Sequence, residues 1–355
     1  MKFSALTLLF FLFIGCSSQV ETTESITKNT PSPDISIDYA VNFDLIPTED
    51  GYNLVILSPE NGEVEQTYPI NTFTKPKLIS LTSTFNGMLC AINSQNFISG
   101  VASEKYVYDS LILQKIASNE IQTFGDESNH SLEKIISNQS NVLFYNGFGE
   151  GFPNEEKLNK LGVSTIPIYD WRENHPLGKA EWIKLAGVIT GKIDEANKLF
   201  DSIVLEYNQL QAIVDSVTSQ PSVTAGSFYG DVWYAPGGES YFATLLKDAG
   251  ADYQHKESKG TASLQLSLEQ VLNDNLQTEY WINPTFNTKK KVLQMNPQLK
   301  HLNSYENGMF CYSGQMAKFW EQSAIRPQLV LQDLIQILHP ELLFERELYF
   351  YKNIQ

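Results

Sequence analysis

Hydrophobic and polar positions along this chain change period several times, and each change marks a candidate element. An apolar run from Ala5 to Ile14 follows Met1-Lys2-Phe3 and ends in Gly15-Cys16-Ser17-Ser18. About ten apolar residues rising about 1.5 Å each span about 15 Å, half of a bilayer core of roughly 30 Å. Residues 1–16 therefore read as a secretory signal and not as a membrane span. Residues 17–34 are Ser, Thr, Glu, Asn and Pro with little apolar content, which predicts a flexible tether. Alternating stretches such as Tyr52 to Leu57, broken by Pro59-Glu60-Asn61-Gly62, predict a small antiparallel β extension over residues 35–76.

From Lys77 the pattern becomes strand and helix in turn. Leu78–Leu81, Phe97–Val101 and Asn141–Tyr145 read as strands, and Asn86–Ile92 and Ser131–Ser137 as helices. That alternation predicts a mostly parallel sheet covered by helices, an N-terminal lobe over residues 77–177. Residues 178–219 carry the helical period: Trp182, Leu185, Ala186 and Ile189, then Ala196, Leu199, Ile203, Tyr207, Leu210, Val214 and Val217. The second stretch, at about 24 residues, is roughly 36 Å long, enough to cross from one lobe to another. Pro221 follows as its stop. A C-terminal lobe over residues 220–355 then repeats the alternation, with strands at Ser222–Tyr229 and Tyr280–Asn283 and helices at Ser240–Ala249, Leu268–Asn273 and Pro327–Leu338.

Length agrees with two lobes, since 355 residues exceed the roughly 250–300 that one core organises. Lys plus Arg number 25 against 41 Asp plus Glu, a formal charge of −16, which excludes a nucleic-acid partner because phosphate binding needs the opposite balance. Cys16, Cys90 and Cys311 form no CxxC pair, so Cys90 and Cys311 are expected in the core. The five histidines show no metal-ligand spacing, and the GxGxG of Gly147–Gly151, interrupted by Pro153, is neither a P-loop nor a dinucleotide fingerprint. No GxSxG elbow or nucleophile–base pairing is present. No catalytic residue, metal site or intrinsic cofactor is assigned.

One internal echo links the halves. Ser131-Leu132-Glu133-Lys134-Ile135-Ile136 and Ser267-Leu268-Glu269-Gln270-Val271-Leu272 lie 136 residues apart, each shortly before a strand. Both put Ser at an expected N-cap and Glu in the first turn. Two ordinary helix starts and a duplication are both compatible with six residues.

The stretch Leu78–Phe85, together with Ser131-Leu132-Glu133 and Asn141–Phe144, resembles the class III substrate-binding proteins of ABC importers, which take up ferric siderophores, haem or cobalamin. His175–Trp182 and Arg326–Leu334 are similar to segments of that family's Bacteroidetes branch, and the resemblance covers roughly residues 77–353. It implies an α/β fold of two Rossmann-like lobes joined by a single long α-helix. It also implies that Glu133 and Glu269, one per lobe, dock onto an ABC permease dimer with its ATPase. The ending Phe13-Ile14-Gly15-Cys16 resembles a bacterial lipobox, with Phe13 where Leu is usual, so Cys16 is the expected lipidation site. The chain would then be a monomer, lipid-anchored in a Gram-negative envelope and mostly periplasmic.

Ligands of open α/β sheets bind beyond the carboxyl ends of strands. Loops at those places supply Phe85, Phe148, Trp171, Arg172, Tyr229, Trp233 and Tyr234, with Arg326 added, as the expected ligand-binding set. Aromatic faces on two lobes suit a flat, bulky guest, and the arginines suit carboxylates or a catecholate centre. For each ring, packing in the core is the competing expectation; for each arginine, a surface ion pair. The function expected is delivery of an iron-siderophore-type chelate, with haem or cobalamin as alternatives. A secreted two-lobe enzyme, or a scavenging lipoprotein without an importer, is the alternative from another class. The transport reading requires separately folded halves, a stiff rod between them, and a crevice at Trp171 and Trp233.

Overall fold

A computed structural model describes residues 35–71, 76–125, 131–148, 151–284, 286–343 and 346–355. The signal segment, Cys16, the tether and the loop residues Gly149 and Glu150 lie outside the described residues. The β extension is an antiparallel sheet of β1 (Phe43–Thr48), β2 (Gly51–Leu57) and β3 (Val64–Asn71), with β2 in the middle.

The N-terminal lobe is a parallel sheet of β4 (Leu78–Ser80), β5 (Ile98–Val101), β6 (Gln122–Thr123), β7 (Val142–Asn146) and β8 (Ser164–Ile168), in the order β6-β5-β4-β7-β8. Its helices are α1 (Ser83–Ala91), α2 (Ser110–Ala117), α3 (Leu132–Asn138) and α4 (Glu155–Lys160). Between the lobes run α5 (Pro176–Glu181), α6 (Ile183–Thr190) and α7 (Ile193–Val214). The 22 residues of α7 make the long connector that its apolar period predicts.

The C-terminal lobe starts with β9 (Ser222–Ala225), β10 (Ser227–Tyr229), β11 (Val232–Ala235), β12 (Asp252–Tyr253), β13 (Leu264–Leu266), β14 (Tyr280–Ile282), β15 (Met309–Tyr312) and β16 (Tyr351–Asn353). They form two sheets: β12-β9-β14-β15-β16, parallel except for β16, and the antiparallel β10-β11-β13. Helices α8 (Tyr241–Asp248), α9 (Leu268–Asn275), α10 (Lys289–Met295), α11 (Ser304–Asn307), α12 (Met316–Gln322) and α13 (Pro327–Leu338) complete it.

Three elements differ from the sequence expectation, each for a local reason. Thr82 caps α1 by accepting the N–H of Phe85, so the helix begins at Ser83 rather than at Asn86. The helical stretch 178–190 is split at Trp182, whose buried ring lies 4.4 Å from that of Phe43 while its indole N–H donates to Glu173. The strand 222–229 is broken by Gly226 at φ +106°, where a Cβ would overlap the carbonyl of Tyr234. That break passes the chain from the parallel sheet to the hairpin β10–β11.

Each lobe has an apolar cluster of its own, around Ile79, Leu143 and Leu158 in the first and around Trp233, Trp281 and Met309 in the second, and a larger one joins them. The joining cluster runs from Phe43 and Tyr52 of the extension through Phe85 and Trp182 to Phe200, Phe242, Leu331 and Phe350. The chain from 38 to 42 is strapped onto the connector by two buried carboxylates. Glu181 accepts the N–H groups of Asp38, Tyr39 and Ala40, and Glu173 those of Val41 and Asn42. The lobes also touch directly, since α12 crosses onto α1 so closely that a Cβ at Gly87 would overlap the carbonyl of Glu321.

Candidate functional site

Strand order places the site. β4 has β5 on one side and β7 on the other, and β9 has β12 on one side and β14 on the other. At each such reversal the following connections leave in opposite directions, so a crevice opens at the carboxyl ends of the strands. A cavity of about 380 Å³ sits there in the N-terminal lobe, with Thr84 beyond β4, Ala102 beyond β5, Phe148 beyond β7 and Asp170 beyond β8. A second, of about 650 Å³, takes Ser227 and Tyr234 from the hairpin, Asn283 beyond β14 and Tyr312 at the end of β15. Phe148, Trp171, Lys179 and Trp320 line both, so the two cavities meet as one cleft.

The walls are rings and the floor is an ion pair. Phe148 and Trp171 lie 4.6 Å apart between centroids, and Phe148 is largely exposed. Lys179, buried on α5, brings its Nζ to 3.6 Å from Oδ2 of the buried Asp170 and 4.3 Å from the centroid of Tyr241. Burial alone would lower the pKa of Lys179, but Tyr241 and Asp170 outweigh it and hold the ammonium above its ordinary range. Trp171 Nε1 and Thr84 Oγ1 are buried with no hydrogen-bond partner among the described residues.

The sequence-predicted residues divide. Phe148, Trp171, Tyr229 and Tyr234 line the cleft. Phe85 does not: the early start of α1 turns it inward, fully buried and 4.4 Å from Phe144. Nor does Trp233. Successive residues of β11 face opposite sides of its sheet, so with Tyr234 toward the cleft, Trp233 is fully buried against Phe228 and Trp281, its N–H donating to Ala225. The crevice therefore contains Trp171 but not Trp233.

The arginines are also placed otherwise than expected. Arg172 stands at the rim, paired with Glu60 of the β extension at 2.8 Å and donating from Nε to Thr261. Arg326 is not among the lining residues, and lies by Tyr349, donating to its hydroxyl at 3.3 Å. Glu133 and Glu269 are exposed, each the second residue of a helix capped by Ser131 or Ser267. Its own backbone N–H and the Ser131 hydroxyl hold the Glu133 carboxyl below its ordinary pKa.

Sequence reasoning missed Tyr106, Lys179, Tyr241 and Trp320, all of which line the cleft. A signal existed for Trp320: adjacent aromatics on a helix lie about 100° apart, so Phe319 and Trp320 cannot both face the core. Lys179 gave none, because its partner Asp170 is a neighbour only in the fold. Among the described residues no histidine lines either cavity, and no cluster of three metal-ligating side chains exists. No helix there is long and apolar enough to cross a membrane.

Comparison with known proteins gives the same architecture. The sequence pattern of a family described as periplasmic binding protein matches residues 88–315. Two uncharacterized lipoproteins of Methanocaldococcus jannaschii are 26% identical over 95% of this chain and 92% of their own length, and 23% identical over 93% and 92%. These relatives are archaeal, so they lend no support to a Bacteroidetes branch or a Gram-negative source. Among solved structures, a periplasmic haem-binding protein of Pseudomonas aeruginosa aligns with TM-score 0.63 at 13% identity, covering 79% of this chain and 98% of that one. The haem-binding protein HutB of Vibrio cholerae aligns at 0.60 and 17%, covering 75% and 100%. An Fe3+-hydroxamate transport protein of Saccharomonospora viridis aligns at 0.57 and 17%, covering 80% and 98%.

Proposed function

This chain belongs to the periplasmic binding protein family, a family that binds solutes rather than transforming them, and on that premise we propose that it captures a bulky chelate, of the iron-siderophore type, for an ABC importer. The observation that carries this reading is the single cleft at the strand ends of both sheets, walled by Phe148, Trp171, Tyr234 and Trp320. Cavities of about 380 and 650 Å³ exceed what an amino acid or a bare ion needs and fall in the range of drug-sized ligands. Stacking on rings from both lobes suits a rigid, flat guest, because neither side loses much rotamer freedom.

Haem and cobalamin fit the same class of guest. Haem would take a cleft tyrosine such as Tyr106 or Tyr241 as its iron ligand, since no histidine among the described residues lines the cavities. Glu133 and Glu269 are read as the docking pair: both are exposed, both stand at the start of a helix that leads into a parallel strand, and one lies on each lobe. Lipidation at Cys16 completes the assignment, in keeping with the lipoprotein relatives. The test is a tryptophan-fluorescence titration of the mature chain with ferric siderophores, haemin and cobalamin in parallel. Saturable quenching at micromolar concentration by one of them is expected; absence of binding to every chelate would remove the reading.

A further inference from the structure

The charge inventory of the cleft narrows the guest. Among the described residues lining the two cavities, only Asp170 and Lys179 carry formal charge, and they face each other at 3.6 Å. Both are buried, with side chains 1% and 5% exposed. A buried ammonium beside a buried carboxylate has no net charge to offer a ligand, and each would be costly to leave alone. Of the two arginines, Arg172 stands at the rim, 5.2 Å from the Trp171 ring, with its charge paired to Glu60, and Arg326 lies off the cleft beside Tyr349. Over the whole chain the formal charge is −16, so the long-range field also opposes an anion.

What the cleft does offer is neutral hydrogen bonding. Trp171 Nε1 is a buried donor and Thr84 Oγ1 a buried hydroxyl, neither with a partner among the described residues, and Asp170 Oδ2 has only the long approach of Lys179. An amide or hydroxyl on the guest could accept from the indole and donate to the carboxylate without separating the ion pair. A carboxylate or catecholate could reach Lys179 only by bringing a second negative charge against Asp170.

We infer that this cleft selects chelates that are electrically neutral and edged with amide or hydroxyl groups, and that the Asp170–Lys179 pair is the determinant that turns away anionic ones. The inference rests on the chelate-binding reading above and specifies the charge class within it. Four probes test it by isothermal titration of the mature chain: an uncharged iron(III) tris-hydroxamate, cyanocobalamin, an iron(III) tris-catecholate carrying three negative charges, and haemin with its two propionates. Each is measured at 20 mM and 500 mM NaCl.

The expected result is that a neutral probe binds at least tenfold tighter than either anionic one, with less than a twofold change between the two salt concentrations. Tighter binding of the tris-catecholate or haemin overturns the inference and leaves the chelate reading standing. Binding of none overturns that reading, and this inference with it. Asp170→Asn, which leaves the Lys179 ammonium unpaired, should raise affinity for the anionic probes at least tenfold. Where the variant melts normally and that gain is absent, the pair is not the determinant; where it fails to fold, the comparison of probes on the unaltered chain decides alone.

Discussion

Oε2 of Glu321, on α12 of the C-terminal lobe, accepts the backbone N–H of Tyr108 in the N-terminal lobe at 2.7 Å. The residues beside each partner in sequence, Trp320 and Tyr106 close by, are cleft walls. The hydrogen bond thus fixes the distance between walls from opposite lobes, and the α1–α12 contact at Gly87 reinforces it. Glu321→Ala leaves the Tyr108 N–H without that partner and is expected to cost about 1–3 kcal/mol. Gly87→Ala, which forces α12 off α1, should cost about as much. Urea denaturation of both variants checks this, and losses below about 0.5 kcal/mol would show that the crossing is not a fixed contact.

Stability should fall as pH rises through neutrality. Burial, aided by nearby Asp109, pushes the Glu321 carboxyl up to about 7, and burial pushes Glu173 up to about 7 despite the N–H donors around it. Each binds its proton more tightly folded than at the ordinary value of 4.5. Their contribution is therefore complete below pH about 4.5 and lost as pH rises through about 7, on the order of 1–3 kcal/mol each. Thermal melts from pH 5 to pH 8 should show a falling Tm, and Glu321→Gln should flatten the profile; a Tm that climbs with pH would contradict the assignment.

Neighbouring aromatics on one strand should give opposite phenotypes. Trp233→Ala empties a site packed by Phe228 and Trp281 and should destabilise by about 3–5 kcal/mol. Tyr234→Ala and Trp171→Ala remove cleft walls, and should weaken chelate binding by about 1 kcal/mol or more while costing less stability than Trp233→Ala. Paired melting and titration experiments separate the two classes. A larger stability loss at 234 than at 233 would mean that β11 has the other register.

Charge reversal at both Glu133 and Glu269 should abolish chelate-dependent growth and leave affinity for the chelate unchanged. Exposed ion pairs are individually worth only about 0.2–1 kcal/mol, so one reversal should have a partial effect and two a complete one. Unaltered growth of the double variant would discard the docking assignment.

Glu181 is the clip for the chain preceding β1. It accepts three successive N–H groups and pairs with Lys184 at 2.6 Å, both of these side chains being buried. Glu181→Ala should cost about 3–5 kcal/mol, because Lys184 is then a buried charge without its partner. It should also make residues 35–42 cleavable under limited proteolysis, whereas a resistant segment would place its anchorage elsewhere.

Sequence pattern determined part of the order of strands and helices, the long connector α7 and the capped pair of helices at Ser131 and Ser267. These follow from interactions within a few residues: a 3.6 or 2.0 repeat, a cap, a proline stop. Tertiary structure decided which side of β11 each aromatic takes, since that depends on hairpin register. It also decided that Phe85 enters the core, because Thr82 starts a helix where a loop was expected. The charge of the cleft was likewise illegible in sequence. Arg172 finds Glu60 at a separation of 112 residues, and Glu321 reaches Tyr108 across 213. Such partners are chosen by where the folded core carries each backbone, and no local pattern encodes that choice.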